Sequence, residues 1–159
     1  MMFKNLQEFI TALENAGELI KIKEFVSPVL EISEITDRIC KAEGKALLFE
    51  NTGTEFPLLI NSMGSMKRMC MALGVDNLEN IGSDMENLFK QIIAPKESFF
   101  DKIKLLPTLN EVASWMPKVS SKKAPCQEVV MKEPDIFKLP VLQCWPKDGG
   151  KFITLPLVH

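Results

Sequence analysis

Residues 19 to 51 read L-I-K-I-K-E-F-V-S-P-V-L-E-I-S-E-I-T-D-R-I-C-K-A-E-G-K-A-L-L-F-E-N, and this stretch decides the fold. Leu19 to Phe25 alternates, with Ile20 and Ile22 set against Lys21 and Lys23, and so predicts a half-buried strand. Ser27-Pro28 opens a helix with proline at its first position, where the missing N–H is least felt. Ile32, Ile35 and Ile39 line one face of that helix, and Glu31, Glu34, Asp37 and Arg38 line the other. Gly44 breaks it, and Ala46 to Glu50 is a short apolar strand. Strand, helix and strand in so short a span predict a layered α+β or α/β unit.

The flanks extend the same layer. Before it, Asn5 can cap a helix, and Glu8 three residues on completes a capping-box pattern. Leu6, Phe9, Ile10 and Leu13 share one face, and Gly17 can end the helix in the left-handed conformation. After it, Asn51-Thr52-Gly53 is a turn and Pro57 to Asn61 a further strand. Ser65 caps a methionine-rich helix to about Leu73, and Leu78, Ile81, Met85, Leu88 and Ile92 outline a longer one closed by Pro95. Residues 96–123 differ. Pro107 and Pro117 punctuate them, with short helices expected at Phe99–Leu105 and Leu109–Trp115, then a basic linker from Lys118 to Lys123. From Cys126 the pattern turns to strands: Val129 to Met131 and Phe152 to Val158 are apolar runs, and Asp148-Gly149-Gly150 is a hairpin-type turn. The second run meets the last residue, His159. A strand with nothing after it leaves an edge unpaired, which Pro156 only partly blunts, so the chain is expected to be a fragment and to self-associate through 124–159.

Composition narrows the function classes. With 19 basic against 21 acidic side chains, no basic excess points to nucleic acid or an anionic membrane. Leu58-Leu59-Ile60 is typical of the longest apolar runs, far short of a transmembrane span, and the N-terminus shows no secretory signal. The cytoplasm is the expected compartment. Cys40, Cys70, Cys126 and Cys144 form no C-x-x-C pair and His159 is the single histidine, so zinc spacing is missing; buried reduced thiols are the expectation.

Candidate sites each have a plain alternative. Glu31, Glu34 and Asp37 share a helix and could serve acid–base chemistry in a cleft; a solvated face beside Arg38 explains them as well. Asn61-Ser62-Met63-Gly64-Ser65-Met66-Lys67-Arg68 sets a glycine and hydroxyls before a helix, which suits an anion, but one glycine is no phosphate loop and an ordinary cap suffices. Met63, Met66, Met69 and Met71 suit a soft metal or an adaptable surface; helical spacing favours core packing. Trp145 suits stacking on a planar ligand, or a core or interface role.

Several segments together resemble the UbiD family of aromatic and acrylic acid decarboxylases. They are Leu6 to Ile10 with Gly17-Glu18-Leu19; Leu30 to Arg38; Ala46 to Asn51; Asn61 and Gly64 with Lys67-Arg68; Ala124 to Gln127; and Leu139-Pro140 through Cys144-Trp145-Pro146-Lys147-Asp148-Gly149-Gly150 to Phe152-Ile153-Thr154. Within the family the likeness is to the 3-polyprenyl-4-hydroxybenzoate carboxy-lyase branch of ubiquinone-type quinone synthesis. The resemblance implies an α+β chain: residues 1–95 an N-terminal α/β domain with a small mixed sheet, 96–123 a helical, proline-rich connector, and 124–159 the first strands of an incomplete flavin-reductase-like split β-barrel. It implies a parent enzyme, a homo-oligomer, that reversibly decarboxylates a small aromatic or unsaturated acid with prenylated FMN and manganese. The flavin acts as electron sink and a glutamate–arginine–glutamate set moves protons. Those groups lie beyond His159, so no catalytic, cofactor-binding or metal residue is assigned within this chain; Thr154 comes nearest the cofactor. The 159 residues alone are expected to be inactive. The alternatives are a stand-alone structural or interaction module and a non-catalytic flavin- or anion-binding domain. The reading frame after His159 discriminates among them.

Overall fold

The computed structural model describes residues 3–94, 99–117, 119, 123–124 and 127–154. Pro95, Lys118, Cys126, Pro156, Val158 and His159, each named above, lie outside them, and with them most of the run Phe152 to Val158. The fold is α+β, and the described residues fall into two compact units, one drawn from Met1–Asp76 with Asp135–His159 and one from Asn77–Pro134.

The first unit is built on a three-stranded sheet in the order β1-β2-β3. Its elements in chain order are α1 (Leu6–Asn15), β1 (Leu19–Phe25), α2 (Glu31–Lys41), β2 (Ala46–Asn51), β3 (Leu58–Ile60) and α3 (Met66–Leu73). β1 and β2 run parallel, joined by α2, with Leu19 opposite Ala46 and Ile22 opposite Phe49. β2 and β3 are antiparallel, with Leu47 opposite Ile60. β2 is central and covered on both faces, so Ala46, Leu47, Leu48 and Phe49 are all buried and the strand reads as an unbroken apolar run. Successive side chains point to opposite faces. Leu47 and Phe49 meet Ile32 of α2 with Val26, and Ile22, Ile35, Ile39, Leu58, Ile60 and Leu142 close around them. Ala46 meets Phe9 and Leu13 of α1, with Leu19 and Met71 alongside. Each fully buried leucine, isoleucine or phenylalanine here contributes about 1.5–3 kcal/mol.

The helix ends follow their caps. Asn5 Oδ1 accepts from Glu8 N at 2.9 Å, and Glu8 reaches back one residue further than a capping box requires, to Lys4 N. Gly17 closes α1 at φ +69°, with Glu18 N donating to Leu13 O. At the end of α2 it is Glu43, not Gly44, that takes the left-handed conformation, at φ +52°. Gly44 is needed for space, since a Cβ there would sit 2.9 Å from Ile39 Cγ2.

Four expectations are corrected. α2 begins at Glu31 rather than Pro28; Pro28 is buried, and Val29 forms a parallel bridge with Gln143 instead. Met63 and Met66 are exposed, so core packing describes Met71 and not the stripe. Phe99–Leu105 and Leu109–Trp115 are not two helices but one, α5 (Phe99–Ser114), with Pro107 inside. The run Val129–Met131 is not a strand. The described residues after 126 include 3₁₀ geometry at Gln127 and at Ile136–Lys138 and a bridge at Gln143.

The second unit is helical. α4 (Leu78–Ile93) is capped by Asn77, whose Oδ1 accepts from Glu79 N at 3.1 Å. α4 and α5 pack together, and Thr108 Oγ1 lies 3.5 Å from Gln91 Oε1.

Candidate functional site

The segment 139–154 folds over the first unit as a loop closed by its own turn. Gln143 N donates to Pro28 O at 3.1 Å, and Gln143 O accepts from Leu30 N at 3.0 Å. Phe152 N returns to Leu142 O at 3.1 Å, so the chain doubles back around Asp148. Asp148 Oδ2 accepts from Trp145 N at 2.8 Å and Cys144 N at 3.2 Å, which makes Asp148 a turn-former. Between the two arms lies an open hollow of about 580 Å³. Trp145, Phe152, Leu58 and Leu142 line it, with Thr154 and Cys144 as its uncharged polar edges. Trp145 is 65% exposed, so it is no core residue; its face is offered to whatever enters the hollow. Such a surface takes planar apolar groups.

A second constellation is polar and lies where β1, the α2–β2 turn and α3 meet. Arg68 is 1% exposed. Its Nη1 donates to Glu18 Oε2 at 3.0 Å and its Nη2 to Gly44 O at 3.1 Å. Lys67 Nζ reaches the other Glu18 oxygen at 2.8 Å. The Lys67 hydrogen bond above all, with that from Arg68, holds the Glu18 carboxyl below its ordinary range, although burial acts the other way. Asn61 sits at φ +56° and donates to the carbonyls of Gly44 and Lys45. A Cβ on Gly64 would collide with Asn61 Oδ1 and come within 3.1 Å of Arg68 Nη2. Asn61, Gly64 and Arg68 thus form one lock, the glycine making room for the other two. The two terminal nitrogens of Arg68 are taken up by its own chain, its buried Nε has no partner among the described atoms, and Ser65 Oγ already caps α3 at Arg68 N, 3.2 Å away. The residues 61–68 are therefore scaffold, and the anion reading of that loop finds no support in the geometry.

The carboxylates of α2 are each engaged on its outer face. Glu34 pairs with Arg38 at 2.7 Å, Asp37 with Lys41 at 2.6 Å, and Glu31 accepts from Ser27 N at 2.8 Å. They form no cleft pair. The thiols correct another expectation: Cys40 and Cys144 are exposed and Cys70 is half-buried. Among the described residues no three His, Cys, Asp or Glu side chains converge as a metal site. No helix among them is long and apolar enough to cross a membrane. Two features were not readable from the sequence: the Glu18–Arg68 pair, whose partners lie 50 residues apart, and the bridge of Gln143 to Val29. Neither leaves a local signal.

A chain with this sandwiched three-stranded sheet, followed by a loop with an apolar hollow, belongs to a known class of enzyme domain. Residues 10–85 match the 3-octaprenyl-4-hydroxybenzoate carboxy-lyase N-terminal domain, and residues 117–159 match the Rift-related domain of the same enzyme. The chain belongs to the UbiD family. An uncharacterized protein of Aquifex aeolicus is 48% identical over 155 residues, 96% of this chain and 32% of its own length. One of Archaeoglobus fulgidus is 46% identical over 99% of this chain and 32% of its own. The chain thus spans about a third of the length of the curated relatives it matches. Among solved structures, the vanillic acid decarboxylase of Sedimentibacter hydroxybenzoicus in closed form superposes with a TM-score of 0.65 at 25% identity, over 95% of this chain and 29% of that one. An evolved dimeric form of the UbiD-class enzyme HmfF from Pelotomaculum thermopropionicum, in complex with prFMN, shares the fold with a TM-score of 0.63 at 23% identity, over 94% of this chain and 30% of that one.

Proposed function

We propose that this chain is the scaffold portion of a prenylated-FMN-dependent carboxy-lyase. The whole protein then decarboxylates, reversibly, an aromatic or unsaturated acid, of which a polyprenyl-4-hydroxybenzoate on a quinone route is the expected example. The observation that carries the reading is the match of two domains of one decarboxylase, in order, along a single chain. The likeness to a vanillic acid decarboxylase, and to an enzyme solved with prFMN, supports the reaction class and the flavin. In domain terms, residues 1–95 are the N-terminal α/β domain, 96–123 the connector and 124–159 the start of the split barrel. When bound, the flavin would supply the electron sink for loss of carbon dioxide.

The described residues do not themselves make up its site. The hollow beside Trp145 and Thr154 lacks charged groups free to bind a phosphate, and no described cluster would hold manganese. No step is therefore assigned to a residue of this chain. Its part is positional: the Asn61–Gly64–Arg68 lock fastens the α2–β2 turn to α3, and the Gln143 bridge ties the loop 139–154 to residues 28–30. A cytoplasmic homo-oligomer is the setting proposed for the whole protein.

The test compares two proteins. One is the 159-residue chain; the other joins it to the remaining two-thirds of the Archaeoglobus fulgidus relative, produced together with a flavin prenyltransferase. The joined protein, with flavin and manganese bound, is expected to release carbon dioxide from a panel of 4-hydroxybenzoate-type and acrylic acids. The chain alone is expected to give none above blank. Turnover by the chain alone that survives a contamination control sinks the reading, as does a flavin-loaded joined protein that acts on no acid in the panel.

A further inference from the structure

Ser27-Pro28-Val29-Leu30 carries the signals of a helix start, yet it is not helical. In a helical first turn with Ser27 as cap, Ile32 N would donate to Pro28 O and Leu30 N would find Ser27 Oγ. The structure spends both groups elsewhere. Pro28 O accepts from Gln143 N at 3.1 Å, and Leu30 N donates to Gln143 O at 3.0 Å. The result at Leu30 is a backbone at φ +68°, ψ −37°, a conformation that a leucine rarely adopts. Glu31 N closes it as a γ-turn on Val29 O at 2.9 Å. Ser27 keeps the marks of a cap: its Oγ accepts from Val29 N, its carbonyl from Ile32 N, and its N–H is held by Glu31.

From this we infer that residues 27–30 are a two-state element, and that docking of the 139–152 loop decides its state. Docked, the segment is a bridge to Gln143 with a strained Leu30. Undocked, the same residues complete the first turn of α2, with Pro28 at its first position. The two states compete for the same carbonyl and the same N–H, so they exclude one another. Leu142, packed beside Ile32 and Phe49, and the Lys138–Glu55 pair at 2.9 Å supply the holding force on the docked side. Relief of Leu30 supplies the opposing one. The length of α2 thereby reports whether the second family domain is seated on the first, whatever reaction the whole protein performs.

The experiment is NMR on the full 159-residue chain and two variants. Gln143→Pro removes the N–H that holds Pro28 O, and is expected to move the Cα shifts of Val29 and Leu30 to helical values. Leu30→Gly removes the strain and favours the docked state, slowing amide exchange at Gln143 by about tenfold, the equilibrium worth of one relieved backbone outlier. Non-helical shifts at Val29 and Leu30 in a folded Gln143→Pro chain overturn the inference. So does unchanged exchange at Gln143 in Leu30→Gly, an arm that stands even where Gln143→Pro does not fold.

Discussion

Arg68 is the residue on which the first unit turns. A guanidinium 1% exposed is held only because Glu18 and Gly44 O face it, and its Nε has no partner among the described atoms. Breaking a buried pair by removing one member is far worse than never having built it, because the other is left without its counter-charge. Arg68→Ala is expected to lower unfolding stability by about 3 kcal/mol, and Arg68→Lys to recover little, since an ammonium cannot span carboxylate and carbonyl together. Urea denaturation decides it, and a loss under about 1 kcal/mol would mean the lock is not what holds the turn. The same pair sets an acid limit. Glu18 has its folded-state pKa depressed, so its stabilising share is present above the ordinary glutamate range and is lost as pH falls through the lower folded value. Stability measured down from neutral pH should therefore drop on the acid side of about pH 4.3, and Glu18→Gln should flatten that part of the drop. An unchanged acid limb in Glu18→Gln would remove Glu18 from the account.

Among the elements, those with local signals were legible and those made by distant partners were not. α1 and α3 start at the caps Asn5 and Ser65, α4 follows the apolar spacing from Leu78, and β1, β2 and β3 stand where alternation or an apolar run placed them. The start of α2 was misplaced because Gln143, more than a hundred residues away, takes the groups that a first turn needs. The strand expected at Val129–Met131 did not form, because a strand exists only with a partner and that run finds none among the described residues; most of the run expected at Phe152–Val158 lies outside them. Of the site, the lock residues Asn61, Gly64 and Arg68 were visible only as resemblance. Their meeting with Glu18 and Gly44 is tertiary. Pro107 is the instructive case in α5: it was read as a break, yet the helix continues through it from Phe99 to Ser114. A proline there removes one hydrogen bond and crowds the carbonyl four residues back, at about 3 kcal/mol in a helix interior. Pro107→Ala is therefore expected to protect the amides of α5 from exchange by at least tenfold. Equal exchange in the two proteins would mean that the proline's neighbours had already absorbed the strain.

For the whole molecule, the hydrophobic surface is unevenly spent. The central strand of the first unit's sheet is covered on both faces, but the loop that follows it offers Phe137 at 82% exposure and Trp145 at 65%, with Phe152 and Ile153 beside them. Contiguous apolar surface of this kind marks a contact site in a soluble protein. The sequence suggested self-association through unpaired strand edges. Residues 127–154 offer the structure no ladder to extend, so the driving force is side-chain burial instead. The 159-residue chain is expected to associate with itself as its concentration rises, and to do so more strongly in added sulfate, which favours apolar burial. Light scattering should show mass above the monomer, and the double variant Phe137→Glu with Trp145→Glu should return it to a monomer without lowering its unfolding midpoint, because neither side chain is buried. Edge pairing would behave otherwise, since backbone hydrogen bonds survive the loss of two side chains. A chain that stays monomeric at high concentration, or a double variant that still associates, removes the apolar loop as the cause.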